Sequence, residues 1–530
     1  MRHATILLAS LLATGTAAAD EPAVRFANET ESAGINHKYT GEYQFTVGGG
    51  VAAFDCNDDY KPDVFIAGGE GLSQFFVNRS KRGGELRFEK HDSGAELEGA
   101  TGAYPLDIDG DSKTDLVILR AGENVVMKGA GNCHFTRANE RWNFDGGKAW
   151  STAYAATWEK GASFPTIAIG NYVDITREDD PWGSCTDNWL HRPDGTGQAF
   201  AKPLPLKPSY CPLSMLFTDW NRSGTPALRM SNDREYYEGG QEQLWKIEPG
   251  KEPVLYSDKE GWRYLRIWGM GIADYDLTGD GYPDYVLSSM ADNKLQTLDD
   301  AAKEGKAVKP GYADIAFKKG VTAHRPYMGD DLRPSTGWHT AVEDVNNDTL
   351  ADIFIAKGNV AEMPDFAMRD PNNMLLQKQD GTFVEAGGTS GIGTSRISRG
   401  AALTDFNLDG LVDALVVNRW ENVEVFRNVT QGTGKWIEFA LREEGPNRDA
   451  IGAWIEVKVG DKVMAREAVS GGGHVSGQLG FWHFGLGSAE KAEVRITWPH
   501  AEPGPWQAVA ANGFYLIEKG KEPATLAVPD

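Results

Sequence analysis

The sequence predicts an all-β protein: a seven-bladed β-propeller with calcium-binding loops, followed by a C-terminal β-sandwich-like domain. Two observations support this fold class. A nine-residue acidic motif recurs along the chain, and each copy directly precedes an apolar strand. Around the motif a larger unit of four short strands repeats, and four strands per repeat are typical of a propeller blade.

The acidic motif is clearest in "DFNLDGLVD", residues 405–413, where positions 1, 3, 5 and 9 carry Asp or Asn. Ca²⁺ takes oxygen ligands, and a short loop with alternate side chains turned inward supplies them. The loop runs into an apolar strand rather than a helix, which distinguishes it from an EF-hand. One such match is equally expected of an ordinary Asx-rich turn. The repetition of the motif favours calcium.

The motif occurs five times, which predicts about five Ca²⁺ sites. The copy "DYDLTGDGYPD" is interpreted with two extra residues, so that it starts at Asp274. The candidate ligands are Asp55, Asn57, Asp59 and Asp63; Asp107, Asp109, Asp111 and Asp115; Asp274, Asp276, Thr278, Asp280 and Asp284; Asp344, Asn346, Asp348 and Asp352; and Asp405, Asn407, Asp409 and Asp413.

Two weaker copies between these loops bring the blade count to seven. "DWNRSGTPA" keeps Asp219 at the first position but has Ala227 at the ninth, and "STAYAATWEKGASFPTIAIG" keeps only the strand pattern. First strands that crowd a central axis need small residues, and these stand five positions before the first Asp in five blades: Gly50, Gly102, Ser214, Gly269 and Gly400. His339 takes this position in another blade, so we expect it to point toward the central channel.

The last blade lacks a fourth strand of its own, because "KWIEFAL" begins a new unit. The N-terminal stretch "VRFANETESAG" contains Phe26, which resembles the Phe that opens the fourth strand of other blades. We therefore expect residues 24–27 to complete the last blade and close the ring without an open sheet edge.

The N-terminus has the order of a secretory signal peptide, with a charged start, an apolar stretch and small residues up to Ala19. Cleavage after Ala19 predicts a periplasmic or secreted protein with a propeller over residues 20–430 and a β domain over residues 436–520. No later segment is apolar for long enough to insert into a membrane. The net charge of −23 argues against nucleic acid and anionic membrane surfaces as partners.

Four cysteines allow three disulfide pairings. Cys185 and Cys211 lie within one stretch of the chain, which favours their pairing and leaves Cys56 with Cys133. The absence of a Cys-x-x-Cys motif argues against thioredoxin-like redox chemistry and covalent haem attachment.

The loops resemble the FG-GAP or VCBS repeats of integrin α-chain propellers. From about residue 436 to 519 the chain resembles the ASPIC/UnbV domain, since "NRDAIGAWIEVKVG", "SGGGHVSGQLGFWHFGLG" and "VRITWP" follow its order and spacing. The combination is similar to bacterial relatives of cartilage acidic protein. This resemblance implies an exported binding or adhesion-like protein.

The least repeat-like stretch, about 174–245, is rich in aromatic residues and Arg. Insertions that break a repeat commonly lie on the binding face, and this composition suits protein or glycan recognition. The alternative is that the stretch only covers the two blades that lack calcium ligands. The candidate binding face consists of Trp182, Trp189, Arg234, Tyr236, Tyr237 and His339.

Catalytic signatures such as His-Glu-x-x-His or Gly-x-Ser-x-Gly do not occur. We therefore expect a non-catalytic binding, scaffold or adhesion-like protein. The alternative is a periplasmic enzyme or enzyme-assembly factor with a site at the central channel and the 174–245 insertion. Convergence of His339, Arg234 and Tyr236 in one concave pocket would favour that alternative.

Overall fold

The computed structural model describes residues 23–177, 181–299, 303, 308–322, 333–360 and 363–530, so the predicted signal peptide and its cleavage site lie outside the described residues. The described chain is built from β-strands, as the sequence predicts. Short helical turns connect some of them: Glu235–Glu238, Ala316–Lys319 and Gly387–Ser390, with 3₁₀ turns at Tyr43–Phe45 and Asp258–Glu260. None of the helices in these ranges is long and apolar enough to cross a membrane.

Seven sheets in the described part of the chain share one plan, with four antiparallel strands paired in order. We number the sheets by the position of their first strand. From first to fourth strand they are sheet 1 (Val51–Phe54, Asp63–Ile66, Gln74–Asn78, Phe88–His91), sheet 2 (Ala100–Leu106, Asp115–Arg120, Val125–Gly131, His134–Arg137), sheet 3 (Ser151–Thr157, Thr166–Asn171, Asn188–His191, Leu204–Leu206), sheet 4 (Pro212–Thr218, Ala227–Asn232, Gln243–Lys246, Val254–Leu255), sheet 5 (Gly269–Tyr275, Asp284–Ser289, Lys294–Leu298, Tyr312–Asp314), sheet 6 (Gly337–Glu343, Asp352–Lys357, Asn373–Gln377, Phe383–Glu385) and sheet 7 (Ser398–Thr404, Asp413–Asn418, Glu424–Asn428, Phe26–Asn28).

The first strands lie side by side in the order of sheets 1 to 7, and the first strand of sheet 7 contacts that of sheet 1. Because neighbouring sheets cover both faces of each strand, Ala100–Leu106 and Ser151–Thr157 are buried at every position. Aromatic rings fill the space between sheets, as where Phe54 contacts Phe135 edge-on. Many small sheets arranged in this way fit a β-propeller.

The N-terminal strand is the fourth strand of sheet 7, as expected, but it spans Phe26–Asn28 rather than the predicted residues 24–27. Phe26–Asn28 pairs antiparallel with Glu424–Asn428, and Phe26 stands opposite Asn428. An ion pair of 2.8 Å between Arg427 and Glu29 continues this contact beyond the strand. Both ends of the ring-forming chain therefore meet in one sheet.

The stretch 174–245 is less irregular than the sequence suggests. It supplies the two outer strands of sheet 3 and three strands of sheet 4. The repeat pattern is hard to see there because the acidic ligands are missing, while the strands themselves are retained. The irregular parts are the connections between these strands.

The C-terminal domain consists of two four-stranded sheets on a shared apolar core that includes Ile437, Ile455, Phe484 and Val494. One sheet contains Lys435–Arg442, Trp482–Gly487, Gly513–Glu518 and Ala524–Thr525, and the other contains Trp454–Val459, Lys462–Glu467, Lys491–Thr497 and Gln507–Ala510.

One segment of this domain, residues 470–479, enters the ring. Ser470–Gly471 pairs with the first strand of sheet 3, and Gly477–Leu479 pairs with the first strand of sheet 1. We call residues 470–479 the channel segment. Sequence reasoning did not predict its position.

The channel segment explains the small residues near the axis. A Cβ atom added to Gly50 would lie 1.8 Å from the carbonyl oxygen of Val475, and one added to Gly102 would lie 2.0 Å from it. The predicted crowding is thus real, but the C-terminal domain provides a large part of it.

Both disulfides have the pairing that the sequence favours. Cys56 is bonded to Cys133, which joins sheets 1 and 2, and Cys185 is bonded to Cys211, which joins sheets 3 and 4.

Candidate functional site

The acidic loops connect the first and second strands of their sheets and share one hydrogen-bond pattern. The first Asp accepts a backbone N–H from the sixth position, as in Gly410 to Asp405 at 2.6 Å and Thr349 to Asp344 at 2.8 Å. In sheets 1, 2, 6 and 7 the ninth Asp accepts one from the third strand, as in Asn428 to Asp413 at 2.8 Å. In sheet 5 the ninth Asp, Asp284, instead accepts the loop N–H of Thr278 at 2.8 Å. The carboxylates are therefore held in place by the backbone.

The loop of sheet 5 has no extra residues, which corrects its alignment. Asp276 occupies the first position, because it accepts N–H groups from Asp280 at 3.0 Å and Gly281 at 2.9 Å. Asp274 instead lies in the first strand, opposite Tyr285. The axial position then belongs to Gly271 rather than Gly269, and a Cβ atom on Gly271 would lie 2.4 Å from a backbone oxygen of sheet 6.

Burial places these carboxylates in an unfavourable environment when no cation is near. Desolvation raises the pKa of Asp63 and Asp115 to about 8 and that of Asp284 to about 7, and neighbouring carboxylates add to the effect. The same causes raise the pKa of Asp344 to about 8. Oxygens that carry charge in this setting favour a bound cation.

Several loop oxygens also have no hydrogen-bond partner, namely Oδ1 of Asp109, Asp284 and Asn407. In the loop of sheet 2, Asp107, Asp109 and Asp111 each offer an oxygen, and all three atoms lie within 4.8 Å of one another. Converging carboxylate and amide oxygens in this number are the donor set that a hard cation such as Ca²⁺ requires. The residues present therefore fit calcium.

Protein cations already neutralise part of two loops. Nζ of Lys128 lies 2.6 Å from a carboxylate oxygen of Asp109 and 2.6 Å from one of Asp111. Lys303 forms an ion pair with Asp280 in the loop of sheet 5. A metal ion in either loop would have to share these carboxylates with an ammonium group.

The loop of sheet 4 keeps the backbone pattern without the ninth carboxylate. Asp219 accepts N–H groups from Ser223 and Gly224, both at 2.8 Å, but Ala227 begins the second strand. Arg222 from this loop lies 4.0 Å over the ring of Trp454 in the C-terminal domain. This loop therefore also contacts the C-terminal domain through a side chain.

The C-terminal domain covers the end of the ring that carries the acidic loops, which we call the loop face. It contacts the loops of all seven sheets through the pairs Phe481 and Tyr60, Arg448 and Ser112, His500 and Trp158, Glu467 and Asp219, Ala465 and Asp276, His483 and Asn347, and Trp436 and Leu408.

His339 lies at the channel, as expected, where it contacts His474 of the channel segment. The N–H of His474 donates to Nδ1 of His339 at 3.1 Å, and Nδ1 of His474 lies 3.1 Å from the carbonyl oxygen of Leu213. Burial lowers the pKa of His339 to about 4 and that of His474 to about 3. Both rings are therefore neutral and serve the packing of the channel.

A cavity of about 130 Å³ lies at the opposite end of the ring, where the first strands begin. We call it the channel-mouth cavity. Trp182, Arg234 and Tyr237 of the candidate binding face line it, together with Trp268 and Trp338.

The other candidate residues are not part of this cavity. Tyr236 lies beside it, with its ring 5.5 Å from that of Trp268. Trp189 belongs to the third strand of sheet 3, where it pairs with Pro205. His339 lines a separate cavity along the channel segment. Arg234 and His339 therefore line different cavities and do not converge in one pocket.

Arg234 is held at the cavity by charge and by rings. Its Nε lies 2.9 Å from Oδ2 of Asp233, and its Nη2 donates to the hydroxyl of Tyr172 at 2.7 Å. The guanidinium carbon lies 4.7 Å from the ring centre of Trp182. Sequence reasoning missed Asp233 and Tyr172 as partners, although Asp233 directly precedes Arg234.

Two family models match segments of the chain. A family described as "ASPIC and UnbV" matches residues 443–524, and one described as "FG-GAP-like repeat" matches residues 55–118. The chain therefore carries an FG-GAP-like repeat followed by an ASPIC/UnbV domain.

The chain is also similar to cartilage acidic protein 1. The protein from Xenopus tropicalis is 27% identical over 188 residues, which cover 34% of this chain and 26% of that protein. The protein from Homo sapiens is 26% identical over 158 residues, which cover 29% of this chain and 21% of that protein. The matched region thus spans about a quarter of the Xenopus protein and about a fifth of the human protein.

Two solved structures show a weaker likeness. Sqt1 of Saccharomyces cerevisiae has a TM-score of 0.38 and 12% identity, covering 74% of this chain and 99% of its own. An Agrocybe aegerita lectin, described as recognising non-reducing terminal N-acetylglucosamine, has a TM-score of 0.37 and 14% identity, covering 72% and 94%. TM-scores of this size support no argument about fold or ligand.

Proposed function

We propose that this chain is an exported, Ca²⁺-stabilised seven-bladed β-propeller that acts as a non-catalytic binding, scaffold or adhesion-like protein. The single observation that carries the proposal is the repetition of one loop geometry in five sheets, each with buried acidic oxygens and a fixed backbone. Sheets 1 to 7 are the seven blades in this proposal. The resemblance to FG-GAP repeats and to cartilage acidic protein 1 supports an adhesion-like role.

Calcium would be held by the first, third, fifth and ninth positions of each acidic loop. The ion would neutralise carboxylates that burial otherwise disfavours, and so join the start of the loop to the second strand. Asp274 is no longer among the proposed ligands, because it lies in a strand. The ligand sets are Asp55, Asn57, Asp59 and Asp63; Asp107, Asp109, Asp111 and Asp115; Asp276, Thr278, Asp280 and Asp284; Asp344, Asn346, Asp348 and Asp352; and Asp405, Asn407, Asp409 and Asp413.

A binding role is also favoured over the enzyme alternative by the position of the channel segment. A catalytic site at the central channel would need space there, but residues 470–479 pair with two first strands inside the ring. Aromatic side chains and Arg234 line the channel mouth instead, and Tyr237 is 56% exposed at its rim. Trp, Tyr and Arg are the residues that most often dominate protein interfaces, so we propose the channel mouth as the partner-binding face for a protein or glycan.

The test of the proposal is a metal measurement on the mature protein. Native mass spectrometry with excess Ca²⁺ should show about five bound ions, and a chelator should lower the melting temperature. Extracellular modules bind Ca²⁺ with a Kd of about 10⁻⁴–10⁻³ M. At ten times Kd, each site would add about 1.4 kcal/mol to the free energy of unfolding. A protein without bound metal and with an unchanged melt would overturn the calcium proposal.

Export can be tested separately. Expression of the full chain with a C-terminal tag, followed by fractionation and N-terminal sequencing, should recover a protein that begins at Asp20 outside the cytoplasm. Recovery of an uncleaved cytoplasmic protein would contradict this part of the proposal.

A further inference from the structure

The channel-mouth cavity offers one charged group to a ligand. Among the described residues that line it, Asp233 and Arg234 carry charge, and they form an ion pair with each other. Asp233 is 2% exposed: its Oδ1 is fully buried, and its Oδ2 is engaged by Nε of Arg234 and by the hydroxyl of Tyr172. The carboxylate is therefore closed to a ligand, and the guanidinium group is the charge that a ligand can contact.

Arg234 keeps one unused donor. Its Nε and Nη2 both donate to the hydroxyl of Tyr172, at 3.0 and 2.7 Å. Nη1 is not part of this fork: it makes no hydrogen bond within the described part of the chain, and it is not fully buried, in a side chain that is 15% exposed. Guanidinium N–H groups bind carboxylates strongly and with defined geometry, so Nη1 offers a position for a carboxylate.

The ion pair with Asp233 does not cancel this attraction. A carboxylate bound to Nη1 would lie on the order of 4 Å from the guanidinium carbon. Asp233 is farther from that position, because it contacts the guanidinium group at Nε. Coulomb energy falls with distance, so the attraction by Arg234 exceeds the repulsion by Asp233. A negative group is therefore favoured at Nη1, and a positive group is not.

The rest of the lining is largely apolar. Met270, Met290 and Trp338 are buried in it, and Trp182 and Trp268 are half-buried. Aromatic rings offer a large apolar area, and methionine side chains adapt to apolar groups of different shape. A neutral apolar ligand would displace water from Nη1 without giving it an acceptor, which costs free energy. The lining thus matches a ligand with an apolar body and one negative charge.

The volume of the cavity limits the size of that body. It is about 130 Å³, whereas drug-sized ligands occupy cavities of about 300–1,000 Å³. An apolar cavity of about 150 Å³ in another protein binds benzene. The channel-mouth cavity therefore suits an apolar body of about the size of one six-membered ring.

We propose that the channel-mouth cavity binds a small monocarboxylic acid whose apolar body is about the size of a benzene ring. The carboxylate accepts from Nη1 of Arg234, and the body contacts the methionine side chains and the tryptophan rings. This inference goes beyond the proposed function, because neither calcium binding nor a protein or glycan partner depends on it. The cavity lies in the proposed partner-binding face, but the ligand is of a different kind.

The experiment uses the purified chain in buffer with Ca²⁺ and three acids as probes: benzoate, phenylacetate and hexanoate. The corresponding amides and amines keep the apolar body and remove or reverse the charge, and acetate keeps the charge without the body. Titration calorimetry should show saturable binding of at least one acid with a Kd below about 1 mM. Its amide, its amine and acetate should each bind at least about tenfold more weakly.

Two variants connect the binding to this cavity. Asp233→Asn combined with Arg234→Gln removes both charges together, so that no unpaired buried charge is left, and the acid should then bind no more tightly than its amide. Val360→Phe enlarges a half-buried residue of the lining and should block binding without a change in charge. Val384→Phe is the matched control, because Val384 is 47% exposed and does not line the cavity. Val360→Phe decides alone if the double variant does not fold.

The outcomes separate this inference from the proposed function. The inference is overturned if none of the three acids binds, if an amide, an amine or acetate binds as tightly as the acid, or if Val360→Phe binds the acid unchanged. A peptide that ends in Phe is titrated as well. Much tighter binding of this peptide than of the free acids would also overturn the inference, because the cavity would then recognise a polypeptide C-terminus. None of these results affects the calcium proposal, which the ion count decides.

Discussion

The backbone N–H of His474 donates a hydrogen bond to Nδ1 of His339 at 3.1 Å, between residues 135 positions apart. This bond joins the channel segment of the C-terminal domain to the first strand of sheet 6. Around it, the channel segment also pairs with sheets 1 and 3. The C-terminal domain is therefore part of the core of the ring, and variants at the axis should affect both domains.

Gly50→Ala should displace the channel segment. The added Cβ atom would lie 1.8 Å from the carbonyl oxygen of Val475. The backbone fixes the Cβ position and the oxygen is itself a backbone atom, so neither can rotate away. Overpacking of this kind costs about 1–3 kcal/mol. Limited proteolysis should show faster cleavage between residues 470 and 479. Gly195→Ala is the control, since nothing lies within 4 Å of its added Cβ atom; equal cleavage of the two variants would contradict the assignment.

Asp409→Ala should remove one calcium ion, whereas Asp219→Ala should remove none. Asp409 is the fifth-position carboxylate of an intact loop, but the loop of Asp219 has Ala227 at its ninth position. Asp219→Ala should still lower stability by about 1–2 kcal/mol, because two backbone N–H groups lose their acceptor. Native mass spectrometry of both variants measures the ion count. An equal loss of calcium in both variants would mean that a loop without the ninth carboxylate binds calcium as well as a complete loop does.

Lys128→Met should strengthen calcium binding by the loop of sheet 2. The ammonium group lies 2.6 Å from Asp109 and 2.6 Å from Asp111, and so competes with a metal ion for both carboxylates. Met keeps most of the apolar stem. We expect a Kd about fivefold to tenfold lower for one site, measured by calcium titration, since a paired charge of this kind contributes about 1 kcal/mol. Lys81→Met, at an exposed position, should leave all sites unchanged.

Deletion of residues 20–28 should open the ring. It removes Phe26–Asn28, so that Glu424–Asn428 becomes an exposed sheet edge. Such an edge is a template for association with another chain. The truncated protein should melt at a lower temperature and form dimers or larger species in analytical ultracentrifugation, although no calcium ligand is lost. A monomer with an unchanged melt would show that the N-terminal strand does not close the ring.

His191 should make the protein less stable in acid. Burial lowers its pKa from 6.5 to about 4, and the ring stacks on Phe144 at 4.5 Å. As the pH falls, His191 is therefore protonated in the unfolded chain before it is protonated in the folded chain. The stabilising contribution is complete above about pH 6.5 and is lost toward pH 4, at about 1.4 kcal/mol per pH unit. Denaturant melts of His191→Gln at saturating Ca²⁺ should show a smaller decrease over this range; identical slopes would refute the assignment.

Local patterns in the sequence were sufficient for much of the fold. The acidic loops, the closing strand with Phe26 and the two disulfides all depend on residues whose spacing or chemistry is visible in the chain. The sequence does not show where the sheet 5 loop begins, because Asp274 and Asp276 both satisfy the motif. The hydrogen bonds from Asp280 and Gly281 identify Asp276 as the first position.

The channel segment could not be predicted for a different reason. A run such as "SGGGHVSG" has no periodicity, and nothing in it specifies contacts with strands that lie hundreds of residues earlier. The channel-mouth cavity could not be predicted from local patterns either, since Met270, Trp338 and Arg234 come from three different sheets. Long-range assembly of this kind depends on the complete fold rather than on local preference.

The position of the channel segment also affects the order in which the protein can fold as it is synthesised. The first six sheets can form as the chain emerges, but sheet 7 needs the N-terminal strand to be kept unpaired until residues 424–428 appear. The axis then stays open until residues 470–479 have been made. Such late, non-local contacts slow folding and leave strand edges exposed in intermediates. A protein exported before it folds would meet this difficulty with its whole chain available at once.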